Sequence, residues 1–191
     1  MKTLRIFLLL LFLPLFAAGL EESHVQGAWL QDGVRWTKAP ADVNPHLQTG
    51  QAEILYFGID HKFAAIYCTI YRVPGQYDAI SHGDARGVYL GKWEIQGDEI
   101  AVEYRLVDRT VKLKGEQLPG PLQRGTIKAS RGLLRLEKNS FRRESGLDKD
   151  AAEVVAGLPQ SSQNFEGQKA NIPGESQAPT LTIYSSMPTT P

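Results

Sequence analysis

Residues 87–107 read GVYLGKWEIQGDEIAVEYRLV, and they decide the fold. In the first half Tyr89, Gly91, Trp93 and Ile95 fall on one side, with Val88, Leu90, Lys92 and Glu94 on the other. Successive strand residues point to opposite faces, so period-two patterning of this kind marks a strand. After the turn cluster 96–99, QGDE, the alternation resumes with Ile100, Val102, Tyr104 and Leu106 on one face. Folding the two halves together predicts the pairs Ile95–Ile100, Trp93–Val102, Gly91–Tyr104 and Tyr89–Leu106. A slip of one residue would turn that whole apolar set to water, so the register is strongly specified.

Working outward, 53–59 (EILYFGI) and 63–73 (FAAIYCTIYRV) are rich in β-branched and aromatic residues, as strands are. A two-residue turn at His61-Lys62 puts Leu55, Phe57 and Ile59 on one face with Ala64, Ile66, Cys68 and Ile70. Tyr56, Tyr67, Thr69 and Tyr71 then occupy the other. A three-residue turn would reverse the faces of the second strand. Strand character continues from residue 100 to 113. It returns at 124–130 (RGTIKAS), 133–138 (LLRLEK) and 141–143 (FRR), and a first strand lies within 26–36 (QGAWLQDGVRW). Turn-forming composition marks 37–50, 74–86 and 114–123 as loops. About eight strands can close a barrel and leave no exposed edge. The expected fold class is therefore all-β, an up-and-down antiparallel barrel of about eight strands. A short helix over 145–158 and a disordered tail complete it.

At the front, Lys2 and Arg5 precede the apolar run Ile6–Phe16, and small residues follow at Ala17-Ala18-Gly19. Residues 1–19 read as a secretory signal peptide, too short for a membrane span. The protein is expected to be exported, periplasmic in a Gram-negative bacterium and secreted otherwise. Cleavage would remove 2 of 21 basic residues and none of the 21 acidic ones, leaving a net charge of −2. That balance excludes general nucleic-acid binding. Cys68 is the one cysteine, so no intrachain disulfide forms and the core must supply the stability. After a short segment at 20–25 the barrel domain spans 26–144. In 145–158, Asp148 or Asp150 is placed to cap a helix whose apolar side carries Val154, Val155 and Leu158. Beyond it, 159–191 is rich in Pro, Ser, Gln and Thr and reads as disordered, with only 180–186 (TLTIYSS) suited to an extended segment.

Gly27-Ala28-Trp29 followed late in the chain by Phe141-Arg142-Arg143 resembles the lipocalin-like or calycin-like barrels of bacteria, over about residues 26–144. There a G-x-W opens the first strand, its Trp closes one end of the core, and a late Arg packs across the ring. The resemblance implies that Trp29 plugs the barrel and that Arg142 or Arg143 covers it, a cation–π contact. It also implies that the loop after the first strand folds over the open end.

No catalytic or metal-binding motif has its required spacing. His24, His46, His61 and His82 stand in loops or at a terminus, and Asp60-His61 and His82-Gly83-Asp84 are ordinary turn chemistry. No cofactor is expected, and an enzyme is the third-ranked reading. Arg105 and Glu103 fall on the outer face, where Arg109 and Asp108 join them as solvated ion pairs. Arg124, Lys128, Arg131, Arg135, Lys138, Arg142 and Arg143 are opposed only by Glu137; if several shared one outer face the barrel would have a basic side, but ordinary solvent-facing strand positions are the favoured reading. The leading expectation is a secreted, non-enzymatic barrel binding a small apolar or amphipathic ligand through Trp36, Tyr89, Trp93 and Tyr104. The alternative is an envelope structural or interaction protein whose filled barrel acts through its basic face or its tail.

Overall fold

The computed structural model describes residues 19–38, 46–73, 79–109, 118–130 and 132–159, with 79–86 described by backbone alone. The expected signal peptide, most of the tail and parts of the three expected loops lie outside the described residues. A short helix α1 (Glu22–Val25) leads into β1 (Gly27–Gln31) and the two-residue β2 (Thr37–Lys38). Then come β3 (Gln48–Phe57), β4 (Lys62–Arg72), β5 (Ala79–Gln96), β6 (Glu99–Arg109), β7 (Gln123–Ser130), β8 (Leu133–Leu136) and β9 (Asn139–Arg143). A 3₁₀ turn at Ser145–Leu147 precedes helix α2 (Asp148–Ala156).

From β3 to β9 each strand pairs antiparallel with the next; β9 then pairs with β1, and β1 with β3. Eight strands thus close on themselves, and β2 is an outlying pair of residues on β3. The hairpin that opened the sequence reading has the predicted register at all four pairs. Its turn is tighter than expected: Gln96 and Glu99 already pair, leaving Gly97-Asp98 as the loop, with Gly97 at φ +69°. A positive φ at the first central residue is what a tight hairpin turn of type II′ requires.

The preceding hairpin corrects the expectation. Phe57 pairs with Phe63 and Leu55 with Ala65, so the turn is the three residues Ile59-Asp60-His61. His61 takes φ +58°, Gly58 N–H donates to the Lys62 carbonyl at 2.8 Å, and Asp60 Oδ1 accepts from Lys62 N–H. A loop of three residues ending in a left-handed one is a standard hairpin solution. Its effect is to reverse β4, so Phe63, Ala65 and Tyr67 face inward with Leu55 and Phe57. Ala64, Ile66, Cys68 and Ile70 face out, and Ile59 stands at the tip, 82 % exposed.

Residues 79–86, expected as loop, are strand. Cys68 pairs with Ala85 and Ile70 with Ile80, so five residues of β5 span what two of β4 span. The turn-forming His82-Gly83-Asp84 makes a bulge here and no reversal. Similarly β3 begins at Gln48, ahead of the expected Glu53.

Two apolar clusters result. The inner one fills the barrel with Trp29, Leu55, Phe57, Phe63, Trp93, Val102, Tyr104, Ile127, Leu134 and Phe141, and Val25 of α1 closes its end. The outer one lies between the wall of β1, β3, β4 and β5 and the side chains Ala151 and Val155 of α2, with Leu158 just beyond the helix. α2 therefore packs on the outer wall to which Ala64, Ile66, Cys68 and Ile70 belong, while Tyr67 of β4 lies inside.

Candidate functional site

Strand lengths position the site. β3, β4, β5 and β6 have 10, 11, 18 and 11 residues, whereas β1, β8 and β9 have only 5, 4 and 5. β8 pairs with β7 only at Lys128, Ala129 and Ser130, so Gln123–Ile127 have no strand beside them on that side among the described residues. On the other flank β1 leaves β3 after Ile54, and β2 rejoins it only at Thr49. The short strands all sit at the α1 end. Toward the other end, the described wall is notched between β7 and β3.

Below the notch the interior is solid. Phe57, Phe63, Trp93 and Tyr104 form a chain of rings with centroids 5.4 to 5.8 Å apart. Both indoles are satisfied, Trp29 donating to the Val25 carbonyl at 2.7 Å and Trp93 to the Gly58 carbonyl at 3.1 Å. Small residues make the room. Gly91 pairs between Phe63 and Tyr104, and a Cβ there would lie 1.9 Å from the Glu103 carbonyl oxygen.

Beside the notch the interior turns polar. Glu53 shares the inward face of Leu55 and Phe57, pairs with Tyr67 across the ladder, and is 1 % exposed. Its own N–H, left without a strand partner in the β1–β2 gap, donates to Gln31 Oε1 at 3.3 Å. Its Oε2 has no hydrogen-bond partner among the described residues. Burial, with repulsion from the Glu137 carboxylate added, pushes the Glu53 carboxyl up to about 7. Glu137 occupies the β8–β9 turn on the notch rim at φ +54°, a conformation that costs a non-glycine residue about 1 kcal/mol or more. Tyr67 and Tyr104 are both raised, chiefly by burial and further by the charges around them, Glu53 among these. Tyr89 meets Tyr104 edge-on at 6.0 Å. Two spaces lined by described residues border the notch. One of about 490 Å³ is lined by Gln31–Arg35, Thr37 and Thr49–Gln51. A groove of about 1010 Å³ reaches Gly125, Leu136 and Glu137 from the outer β5–β7 face.

Of the four residues expected to bind ligand, three come together inside: Tyr89 and Tyr104 beside the polar layer, and Trp93 in the packed half. Trp36 is elsewhere. It lies on the outer wall above Gly50, where a Cβ would come within 3.4 Å of its ring, and the Arg72 guanidinium stacks on it at 4.0 Å. Trp29 is inward and 3 % exposed. Arg143 does not stack on the Trp29 ring. Its Nη1 donates to the Ala28 carbonyl and to Asp148 Oδ1, and its Nη2 reaches Asp148 Oδ2 at 2.6 Å. That guanidinium takes the space over Gly27, where a Cβ would lie 2.1 Å from Nη2 and where φ is +105°. Arg142 is on the surface, 3.9 Å from Asp32.

Part of the basic set is paired: Arg124 with Glu103 at 3.0 Å, Lys128 with Glu99 at 3.9 Å, and Arg143 with Asp148, while Arg135 and Lys138 are exposed and Arg131 lies outside the described residues. Arg105 is outward as expected but only 8 % exposed. His61 stacks on Trp93 at 5.1 Å, and its Nε2 lies 3.6 Å from Glu22. The side chains of His82 and Asp84 lie outside the described residues. Sequence reasoning missed Glu53, Tyr67 and Glu137. For Glu53 a signal existed, since it has the parity of Leu55 and Phe57. Compared with protein-family models, curated proteins and solved structures, the chain matches none of them.

Proposed function

We propose that this chain is an exported, lipocalin-like barrel without catalytic activity that holds a small amphipathic ligand in its notched half. One observation carries the reading: a fully buried carboxyl oxygen, without a hydrogen-bond partner among the described residues, on the inward face of a closed barrel. Burying such a group without a partner costs about 1–3 kcal/mol or more, which a barrel built for stability alone would avoid. Tyr67, Tyr89 and Tyr104 supply the aromatic walls that ligand sites commonly have. Export rests on Lys2, Arg5 and the apolar run to Phe16.

The packed lower half favours the rival, a structural barrel, which leaves the buried Glu53 oxygen without a purpose. Native mass spectrometry of protein purified from its own source tests the choice. The carrier reading expects a bound mass of a few hundred daltons, released on denaturation. Repeated preparations with the bare chain mass would overturn it.

A further inference from the structure

Resting on the carrier reading, we propose that the ligand is a small organic cation, an amine with an alkyl or aromatic body, whose ammonium group is taken by Glu53 with Glu137 assisting. The charge arrangement selects the class. Glu53 brings an orphan acceptor from β3, and Glu137 brings a second carboxylate from the β8–β9 turn close enough to act on it electrostatically. Like charges oppose one another's ionisation, and a cation between them relieves both. An anionic ligand would add a third negative charge. A neutral one would satisfy hydrogen bonding and leave the repulsion standing.

The remaining groups facing Glu53 suit an ammonium too. Glu53 acts electrostatically on Tyr67 of β4 and Tyr104 of β6, Tyr89 of β5 meets Tyr104 edge-on, and cations are attracted to aromatic faces within about 6 Å. Gln31 on β1 is engaged by the Glu53 N–H. Among the described residues no cationic side chain acts on the Glu53 carboxyl, whose shift comes from burial and Glu137. Glu137 sits on the notch rim and also lines the larger groove on the outer β5–β7 face.

Isothermal titration of the purified protein tests this with 2-phenylethylamine and n-hexylamine against 2-phenylethanol, n-hexanol and 3-phenylpropionate. At pH 8.5 each amine should bind more than about tenfold tighter than its matched alcohol, and the carboxylate weakest. At pH 5.5, with Glu53 protonated, the advantage should shrink to a fewfold. Glu53→Gln, nearly isosteric, should abolish it at both pH values while its melting temperature stays at or above that of the parent, and Glu137→Gln should reduce it. Equal binding of amine and alcohol, or an advantage surviving in Glu53→Gln, overturns the amine assignment and leaves the carrier reading standing. No binding by any probe, with no co-purifying mass, sinks both.

Discussion

At the scale of single residues, Glu53 controls the pH dependence. Its folded-state carboxyl titrates near 7 against an ordinary 4.5, so folding favours the protonated form. Stability from this group is complete below about pH 4.5, falls as pH rises toward 7, and is flat above that. The shift corresponds to about 3 kcal/mol in all, at about 1.4 kcal/mol per unit. Urea melts of Glu53→Gln should therefore match the parent near pH 4.5 and exceed it by up to about 3 kcal/mol at pH 8. A mutant less stable than the parent at pH 8 would show the carboxylate to be well solvated or paired. Gly91 makes an independent prediction. A methyl group there meets the Glu103 carbonyl oxygen, which is backbone and cannot swing aside. Gly91→Ala should cost about 2–4 kcal/mol in the same assay, with the barrel between Phe63 and Tyr104 forced apart.

At the scale of elements, α2 is joined to the barrel by a clasp and an apolar face. Asp148 opens the helix, yet its carboxylate does not cap it. It turns to Arg143 and to the Ala28 N–H at 2.7 Å. Asp148 and Asp150 in the first turn still complement the helix dipole. Arg143→Ala should loosen α2, costing about 1–2 kcal/mol because the pair is only partly buried. Cys68 is fully buried in the same outer cluster as the α2 side chains Ala151 and Val155. Its thiol should resist a disulfide reagent in the parent and react faster in Arg143→Ala or Val155→Asp. Equal labelling rates would mean that α2 does not shield that wall. The same scale shows why one hairpin was legible and its neighbour was not. Between Ile95 and Ile100 both strands alternate cleanly up to the turn, so turn length follows from the pairs. Between Phe57 and Phe63, turns of two and three residues give equally apolar faces. The choice lay in His61 accepting a positive φ, which composition does not announce.

At the scale of the whole molecule, closure, strand number and the helix were readable because alternation and turn chemistry recur along the chain. The site was readable only in part. Glu53 stands in phase with Leu55 and Phe57, so its inward position follows from parity alone. Glu137 joins it because β8 is only four residues long, and Trp36 leaves the interior because the chain after Gln31 runs outside Gly50. Those are facts of strand length and tilt, set by all eight strands at once. The central claim is that this barrel buries the Glu53 carboxyl, one oxygen of which has no partner among the described residues, in a polar layer above a packed apolar half. A carbon-13 NMR titration of the glutamate side-chain carboxyls, with Glu53 assigned through Glu53→Gln, tests it most directly. The account predicts one carboxyl with a midpoint near pH 7 that vanishes in the variant. A Glu53 midpoint at the ordinary 4 to 4.5 would contradict it.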